Sequence, residues 1–159
     1  MKAKIILILV LLSTTWSFAQ APGDNCGTAV TLTLPTVQGN SITTGVQSTT
    51  ALTNDYAAGS YCTNATYGGG NDGVYKITVP TSGYEYKFEY LASGMTYKIL
   101  SIHSACVPTT GDCLGGKVTG ASTSGSVTLT MTAGTYYVIV DNKSSLSDAG
   151  SGGDFNLQI

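Results

Sequence analysis

The chain has 159 residues, with seven lysines, no arginine, nine carboxylates and one histidine. All nine carboxylates but only five lysines follow residue 20, which gives that part of the chain a net charge of −4. Without the planar guanidinium fork, an acidic chain is poorly suited to nucleic acid or anionic lipid, and we expect neither as a partner.

The N-terminus has the pattern of a cleaved secretory leader. Lys2 and Lys4 precede the apolar run 5–12, and small residues around Ala19 and Ala21 suit signal peptidase. The run is too short to anchor the chain in a bilayer. The sequence predicts a signal peptide at 1–20, one domain at 21–159, no membrane anchor, and a secreted, extracellular or cell-surface location.

Short strand patterns separated by turn residues fill the rest of the chain. The candidate strands are 29–34, 41–46, 74–79, 84–90, 96–102, 117–120, 126–132, 135–140 and 155–159. No stretch keeps a helical period, and glycine is too frequent for one. Eight or nine short strands predict an all-β fold, an antiparallel β-sandwich with jelly-roll-like topology.

Two strand patterns indicate which faces are buried. The segment 84–90 alternates aromatic and charged residues, so Glu85 and Glu89 are expected on a solvated face. The segment 135–140 is almost continuously apolar, as expected of a central strand. The predicted core contains Phe88, Val127, Leu129, Tyr137, Ile139 and Phe155.

Four cysteines, Cys26, Cys62, Cys106 and Cys113, lie beyond the leader. An even number in an exported chain indicates two disulfides, for which three connectivities exist. We favour Cys106–Cys113, which closes a short loop containing a proline and a glycine, and this leaves Cys26–Cys62. A zinc site is disfavoured because no CxxC pair is present.

No catalytic constellation is recognisable, and we expect no enzyme activity. His103 is the single histidine, and no nucleophile elbow surrounds any serine. Calcium is the one metal worth considering, because Asp24, Asn25 and Asp72 supply hard oxygen ligands in loops. The alternative is that these residues only form turns. No other cofactor is expected.

Tyrosines give the clearest indication of a binding surface. Tyr56, Tyr61 and Tyr67 fall with Asn64 in the irregular segment 52–73. Exposed tyrosines stack on sugar rings and hydrogen-bond to their hydroxyls, so these four residues form the predicted ligand-binding site. The alternative is that the rings pack over the sheet.

Several segments together resemble a known family. They are DNCGTA at 24–29, NDGVYKIT at 71–78, IHSAC at 102–106, AGTYYVIVD at 133–141 and GGDFNL at 152–157. In this order they resemble the motifs of bacterial pre-peptidase C-terminal (PPC)-like domains. The resemblance implies a secreted β-sandwich that is usually a non-catalytic appendage, with relatives that bind collagen, polysaccharide or calcium.

The sequence therefore predicts a secreted, non-catalytic module that binds a polymer of the matrix or cell surface, with polysaccharide as the favoured ligand. A self-assembling fibre or adhesin subunit is the alternative. Low charge and exposed edge strands would serve such association, with the segment 21–41 as a donated strand.

Overall fold

The residues that the structure describes form ten strands. The computed structural model describes the backbone of residues 15–17 and, with side chains, residues 20–56, 61–62, 69–91, 98–106, 108–119, 124–142 and 152–159. The strands are β1 (Thr15–Ser17), β2 (Val30–Thr33), β3 (Ser41–Ser48), β4 (Gly73–Val79), β5 (Tyr84–Leu91), β6 (Lys98–His103), β7 (Cys113–Thr119), β8 (Gly125–Met131), β9 (Gly134–Asn142) and β10 (Asp154–Gln158). A 3₁₀ turn, Thr110–Asp112, precedes β7.

The strands form two five-stranded sheets. The first sheet has the order β1-β3-β10-β5-β8, and the second sheet has the order β2-β4-β9-β6-β7. If β3 to β10 are renumbered 1 to 8, the first sheet has the order 1-8-3-6 and the second sheet has the order 2-7-4-5. This is jelly-roll connectivity, and the predicted fold class is confirmed.

Two strand pairs at the sheet edges are parallel, although the sequence analysis expected antiparallel pairing throughout. β1 pairs in parallel with β3, and β2 pairs in parallel with β4. All nine predicted strands are present, and β7 begins at Cys113, four residues before its predicted start. β1 falls inside the predicted leader, where no strand was expected.

The main hydrophobic core lies between the two sheets. Tyr75 of the second sheet meets Phe155 of the first edge to face, with ring centroids 6.3 Å apart. Phe88, Tyr90 and Leu100 are fully buried in the same cluster. Burial of large side chains from both sheets is the main favourable contribution to this fold.

The predicted core is confirmed at Phe88, Ile139 and Phe155, which are buried. Val127 and Leu129 are only half-buried and pack at the margin of the main core. In β9, Val138 and Val140 face the first sheet, whereas Ile139 packs on the opposite side. The apolar run of this strand is continuous because both faces of the second sheet are covered.

Among the described residues, none forms a helix of the length and hydropathy needed to cross a bilayer.

Candidate functional site

The outer face of the second sheet is covered by chain rather than by water. A second group of buried residues, which we call the outer cluster, comprises Tyr56, Tyr61, Val74, Ile99 and Ile139. Three of these side chains come from β4, β6 and β9, and the two tyrosines come from the connection between β3 and β4. This connection therefore acts as a covering layer on the sheet.

Tyr56 and Tyr61 belong to the predicted ligand-binding site, but the structure buries both. Only 8% of Tyr56 and 2% of Tyr61 is exposed. The Tyr56 hydroxyl accepts a hydrogen bond of 2.7 Å from the backbone N–H of Cys26, and the Tyr61 hydroxyl donates to Asp72. The expectation that these two rings are exposed for ligand binding is therefore wrong. Each ring is buried, and each hydroxyl is hydrogen-bonded within the protein. Asn64 and Tyr67 lie outside the described residues.

Two buried carboxyl groups lie beneath this layer. Asp72 accepts hydrogen bonds from the N–H groups of Asp55 (2.7 Å) and Tyr56 (2.9 Å), and so holds the covering segment on the sheet. Burial raises the pKa of Asp72 to about 6. Burial and the neighbouring Asp72 raise the pKa of Asp141 to about 8. Both carboxyl groups therefore keep their protons to higher pH than an ordinary aspartate, and this lowers the cost of burying two like charges.

The single histidine has a serine partner that the sequence analysis did not identify. Ser101 Oγ lies 2.5 Å from His103 Nε2, and both residues project from the outer face of β6 with no exposed surface. Ser101 Oγ also accepts the N–H of Cys62 at 3.3 Å. Burial lowers the pKa of His103, which favours the neutral imidazole. The buried pair holds the covering segment through the N–H of Cys62.

The disulfide connectivity differs from the favoured one. Cys62 is bonded to Cys113, across 51 residues of sequence, while Cys26 and Cys106 are thiols in this structure. The pairing of Cys106 with Cys113 and of Cys26 with Cys62 was therefore wrong. The covering segment lies along β6, where Cys62 contacts the Ile102 carbonyl. This position places Cys62 next to Cys113 at the start of β7. The spacing of cysteines along the chain carries no information about that placement.

The residues predicted to bind calcium already use their oxygens within the protein. Asp24 accepts from the backbone and hydroxyl of Thr53, and Asn25 Oδ1 accepts two N–H groups of its own turn. The Asp72 oxygens are occupied as described above. In the described parts of the chain, no three His, Cys, Asp or Glu side chains form a group that could hold a metal ion. Calcium binding remains a prediction.

A groove lies at one end of the sandwich. Because β2 and β4 are parallel, the loops 35–40 and 80–83 that follow them leave the sandwich at the same end. A cavity of about 250 Å³ lies between these loops and β5. A second cavity, of about 260 Å³, adjoins the first and extends along β5 to the end of β10. The two share Pro35, Gly39, Asn40, Glu85 and Tyr86. We call this surface the Tyr84 groove.

The groove combines aromatic and hydrogen-bonding side chains. Tyr84 is 45% exposed at its mouth, and Tyr86 is half-buried behind it. Partial burial and the neighbouring Tyr84 raise the pKa of Tyr86, so its phenol remains a neutral donor at pH 7. The remaining polar lining consists of Thr36, Gln38, Asn40, Ser41, Thr81, Glu85, Lys87, Glu89 and Gln158.

Charge within the groove is low and partly neutralised. Lys87 Nζ lies 2.7 Å from Glu89 Oε2. Of the two carboxylates in the groove lining, Glu85 therefore has no ion pair with a described residue. The sequence analysis treated Glu85 and Glu89 as a solvated face and Tyr84 only as part of an alternating strand. One sequence signal could have indicated that Tyr84 is exposed. Tyr84 directly follows the turn residue Gly83, so it lies at the end of its strand, outside the core.

No family model and no curated protein matches the chain. Among solved structures, the pre-peptidase C-terminal domain of a collagenase from Bacillus anthracis matches 82% of this chain and 94% of its own, at 15% identity and a TM-score of 0.49. The chain is similar in structure to a PPC domain. This is the type of domain that the sequence motifs resemble.

Two further solved structures match. A periplasmic inhibitor of g-type lysozyme from Aeromonas hydrophila is 11% identical, with a TM-score of 0.41 over 91% of this chain and 96% of that chain. A cycloisomaltooligosaccharide glucanotransferase from Paenibacillus sp., complexed with cycloisomaltoheptaose, is 17% identical, with a TM-score of 0.34 over 83% of this chain and 20% of that chain. At these values the matches assign no function to the chain.

Proposed function

We propose that this protein is a secreted, non-catalytic module that binds a neutral polysaccharide in the Tyr84 groove. The observation that carries the proposal is the exposed ring of Tyr84 at the mouth of an elongated polar groove. The buried disulfide-linked layer and the leader pattern support export. The burial of Ser101 and His103 supports a non-catalytic role.

The chemistry of the groove suits a sugar polymer. A pyranose ring has an apolar face, which packs on an aromatic ring, and a rim of hydroxyls that need both donors and acceptors. Amides of Gln38, Asn40 and Gln158 supply both, and the Glu85 carboxylate supplies acceptors. A net negative charge and unpaired Glu85 disfavour an anionic polymer, so the ligand expected is neutral.

The test is retention of the protein on a panel of insoluble neutral polysaccharides: cellulose, chitin and starch granules. Tyr84→Ala should weaken retention on the polymer that binds by roughly three- to tenfold, because an aromatic contact contributes about 0.5–1.5 kcal/mol beyond buried area. Tyr84→Phe should keep most of the affinity. Thermal unfolding of each variant should remain close to that of the wild type, because the ring is exposed.

Leu114→Ala provides the matched control. Leu114 is 43% exposed, similar to Tyr84, but lies on β7 outside the groove. The Leu114→Ala substitution should leave retention on the polysaccharide unchanged. Equal losses in the Leu114 and Tyr84 variants, or no retention of the wild type on any polymer of the panel, would contradict the proposal.

One observation favours a second candidate, a self-assembling extracellular subunit. Thr15–Ser17, inside the predicted leader, pairs in parallel with Ser41–Thr43 at the edge of the first sheet. Removal of the leader would expose this edge of β3 to a strand from another copy.

Size-exclusion chromatography and negative-stain microscopy of protein that begins at Ala21 would test the second candidate. Assembly through this edge predicts filaments or oligomers in the wild type and monomers in Val46→Lys, since lysine on an edge strand blocks pairing. Val46 is 71% exposed in β3, so the substitution should not disturb the core. A monomeric wild type at high concentration would contradict the second candidate.

A further inference from the structure

We propose that Cys26 and Cys106 form a second disulfide, which interlocks with Cys62–Cys113 and fastens the N-terminal segment to the covering layer of the second sheet. The inference depends on export to an oxidising compartment and does not depend on the ligand proposed above.

The two thiols are neighbours in the fold although 80 residues separate them in the sequence. Tyr137 on β9 marks the place where they meet: it packs on the outer cluster together with Cys26, and it pairs with His103, three residues before Cys106. Each thiol also raises the pKa of Tyr137, and Cys106 raises the pKa of Cys26. Each is half-buried. A disulfide needs sulfurs about 2.0 Å apart, a separation that two neighbouring thiols can reach by rotation of their side chains.

Both positions are fixed by contacts of their own segments. The N–H of Cys26 donates to the Tyr56 hydroxyl, and its side chain packs against the outer cluster. Cys106 follows β6 in a loop that is held by the Ser104 N–H, which donates to the Asp112 carbonyl at 3.0 Å. The fold itself therefore places the pair together, before any bond between the sulfurs is made.

The resulting pattern is first-to-third and second-to-fourth. One bond joins the start of the domain to the β6–β7 loop, and the other joins the covering segment to the start of β7. The two closed loops overlap in sequence. Both the N-terminal segment and the covering segment are therefore covalently attached beside the second sheet. In the unfolded chain, long closed loops lower conformational entropy, and this stabilises the native state.

Bond formation requires an oxidant, for which a disulfide-bearing thiol oxidoreductase of the export compartment is the chemical class. One cysteine thiolate attacks the enzyme disulfide and forms a mixed disulfide. The second thiolate displaces the enzyme sulfur and forms the Cys26–Cys106 bond. The enzyme leaves as a dithiol with two electrons and two protons from this chain.

The environment of Cys26 indicates when this exchange takes place. Burial and the Cys106 thiol raise the pKa of Cys26 to about 12 in the folded state. The nucleophile in exchange is the thiolate, so the reduced folded protein should oxidise slowly. We expect the bond to form slowly, after the fold has brought the two thiols together.

Peptide mapping of exported wild-type protein, alkylated in denaturant without reductant, tests the connectivity. Trypsin alone does not separate the two crossing pairings, because Cys26 and Cys62 share one tryptic peptide and Cys106 and Cys113 share another. A further cut before aspartate separates all four. The proposal predicts that peptide 24–54 is linked to 99–111, and that peptide 55–71 is linked to 112–117.

The single variants Cys26→Ser and Cys106→Ser should each expose one titratable thiol in denaturant, whereas the wild type and the double variant expose none. The double variant should melt lower by on the order of 10 °C. Alkylation of wild-type Cys26 and Cys106, or any other pair of linked peptides, would overturn the proposal, even if a serine variant fails to fold.

Discussion

At the residue scale, Asp72 and Asp141 account for how the covering layer is held. Asp72 binds two backbone N–H groups of that layer and the Tyr61 hydroxyl. The pKa values of both carboxyl groups are raised above the ordinary value of 3.8, first by burial. Asp55 raises the pKa of Asp72 further, while the hydrogen bond from Tyr61 opposes the shift of Asp72. The layer is therefore attached through groups that bind protons more tightly in the folded chain than in the unfolded chain.

This attachment predicts a pH dependence of stability. Between pH 4 and pH 8 the folded pair binds more protons than the unfolded chain, so the free energy of unfolding falls as the pH rises. The slope is about 1.4 kcal/mol per pH unit for each proton that differs. Asp141→Asn mimics the protonated acid and should gain stability relative to the wild type as the pH rises from 6 to 8. Urea unfolding at several pH values measures this difference.

The matched control for that series is Asp154→Asn, because Asp154 is exposed at the start of β10. Its stability relative to the wild type should be nearly constant over the same pH range. If the stability of the Asp141 variant relative to the wild type is also constant over this pH range, the buried carboxyl groups do not bind protons more tightly in the folded chain.

At the element scale, the alternating strand β5 connects the core to the groove. Its even-numbered aromatics start exposed at Tyr84 and end fully buried at Phe88 and Tyr90. One side-chain row therefore packs in the middle of the sandwich and, at its end, presents the exposed ring that we propose binds the ligand. The odd-numbered Glu85, Lys87 and Glu89 lie on the other face, where Lys87 and Glu89 pair.

Phe88→Ala should lower the free energy of unfolding by about 3–5 kcal/mol, because it leaves a cavity between the sheets. Its neighbour Lys87→Ala should change it by about 1 kcal/mol or less, since an exposed ion pair contributes little. Denaturant unfolding of both variants measures this contrast. Similar losses for the two would show that this row does not face the core.

Much of the fold could be predicted from the sequence, because strand periodicity and turn residues act locally. The spacing of Tyr84 to Tyr90 fixes one buried face of a strand, and the apolar run 135–140 indicates a central strand, as found for β9. The pattern of the connection between β3 and β4 carries no such information. Its tyrosines looked like an exposed platform because aromatic side chains in an irregular segment serve equally well as a cover over a sheet.

The cysteine pairing shows the same limit. Proximity in sequence favoured Cys106–Cys113, but the partner of Cys113 is set by where the covering segment lies on β6. The Ser101–His103 contact was also missed, although residues two apart on a strand share a face. Here the period of the strand was the available signal.

At the scale of the whole molecule, the outer face of the second sheet is closed and one end of the sandwich is open. The covering layer and its cysteines close the outer face of the second sheet, while loops 35–40 and 80–83 leave a groove open at the end of β5. None of the described residues in 52–73 lines either cavity of this groove. The covering layer and the proposed binding groove are therefore separate surfaces of the sandwich.

The central claim, that the groove and not the 52–73 segment binds the ligand, is tested most directly by amide chemical-shift mapping. The ¹⁵N-labelled mature protein would be titrated with soluble oligosaccharides of the polysaccharide that retains it. The account predicts shifts concentrated in residues 36–41 and 84–89, and Tyr84→Ala should need roughly three- to tenfold more oligosaccharide to reach the same shifts. Shifts confined to residues 52–73, or an unchanged response in Tyr84→Ala, would contradict it.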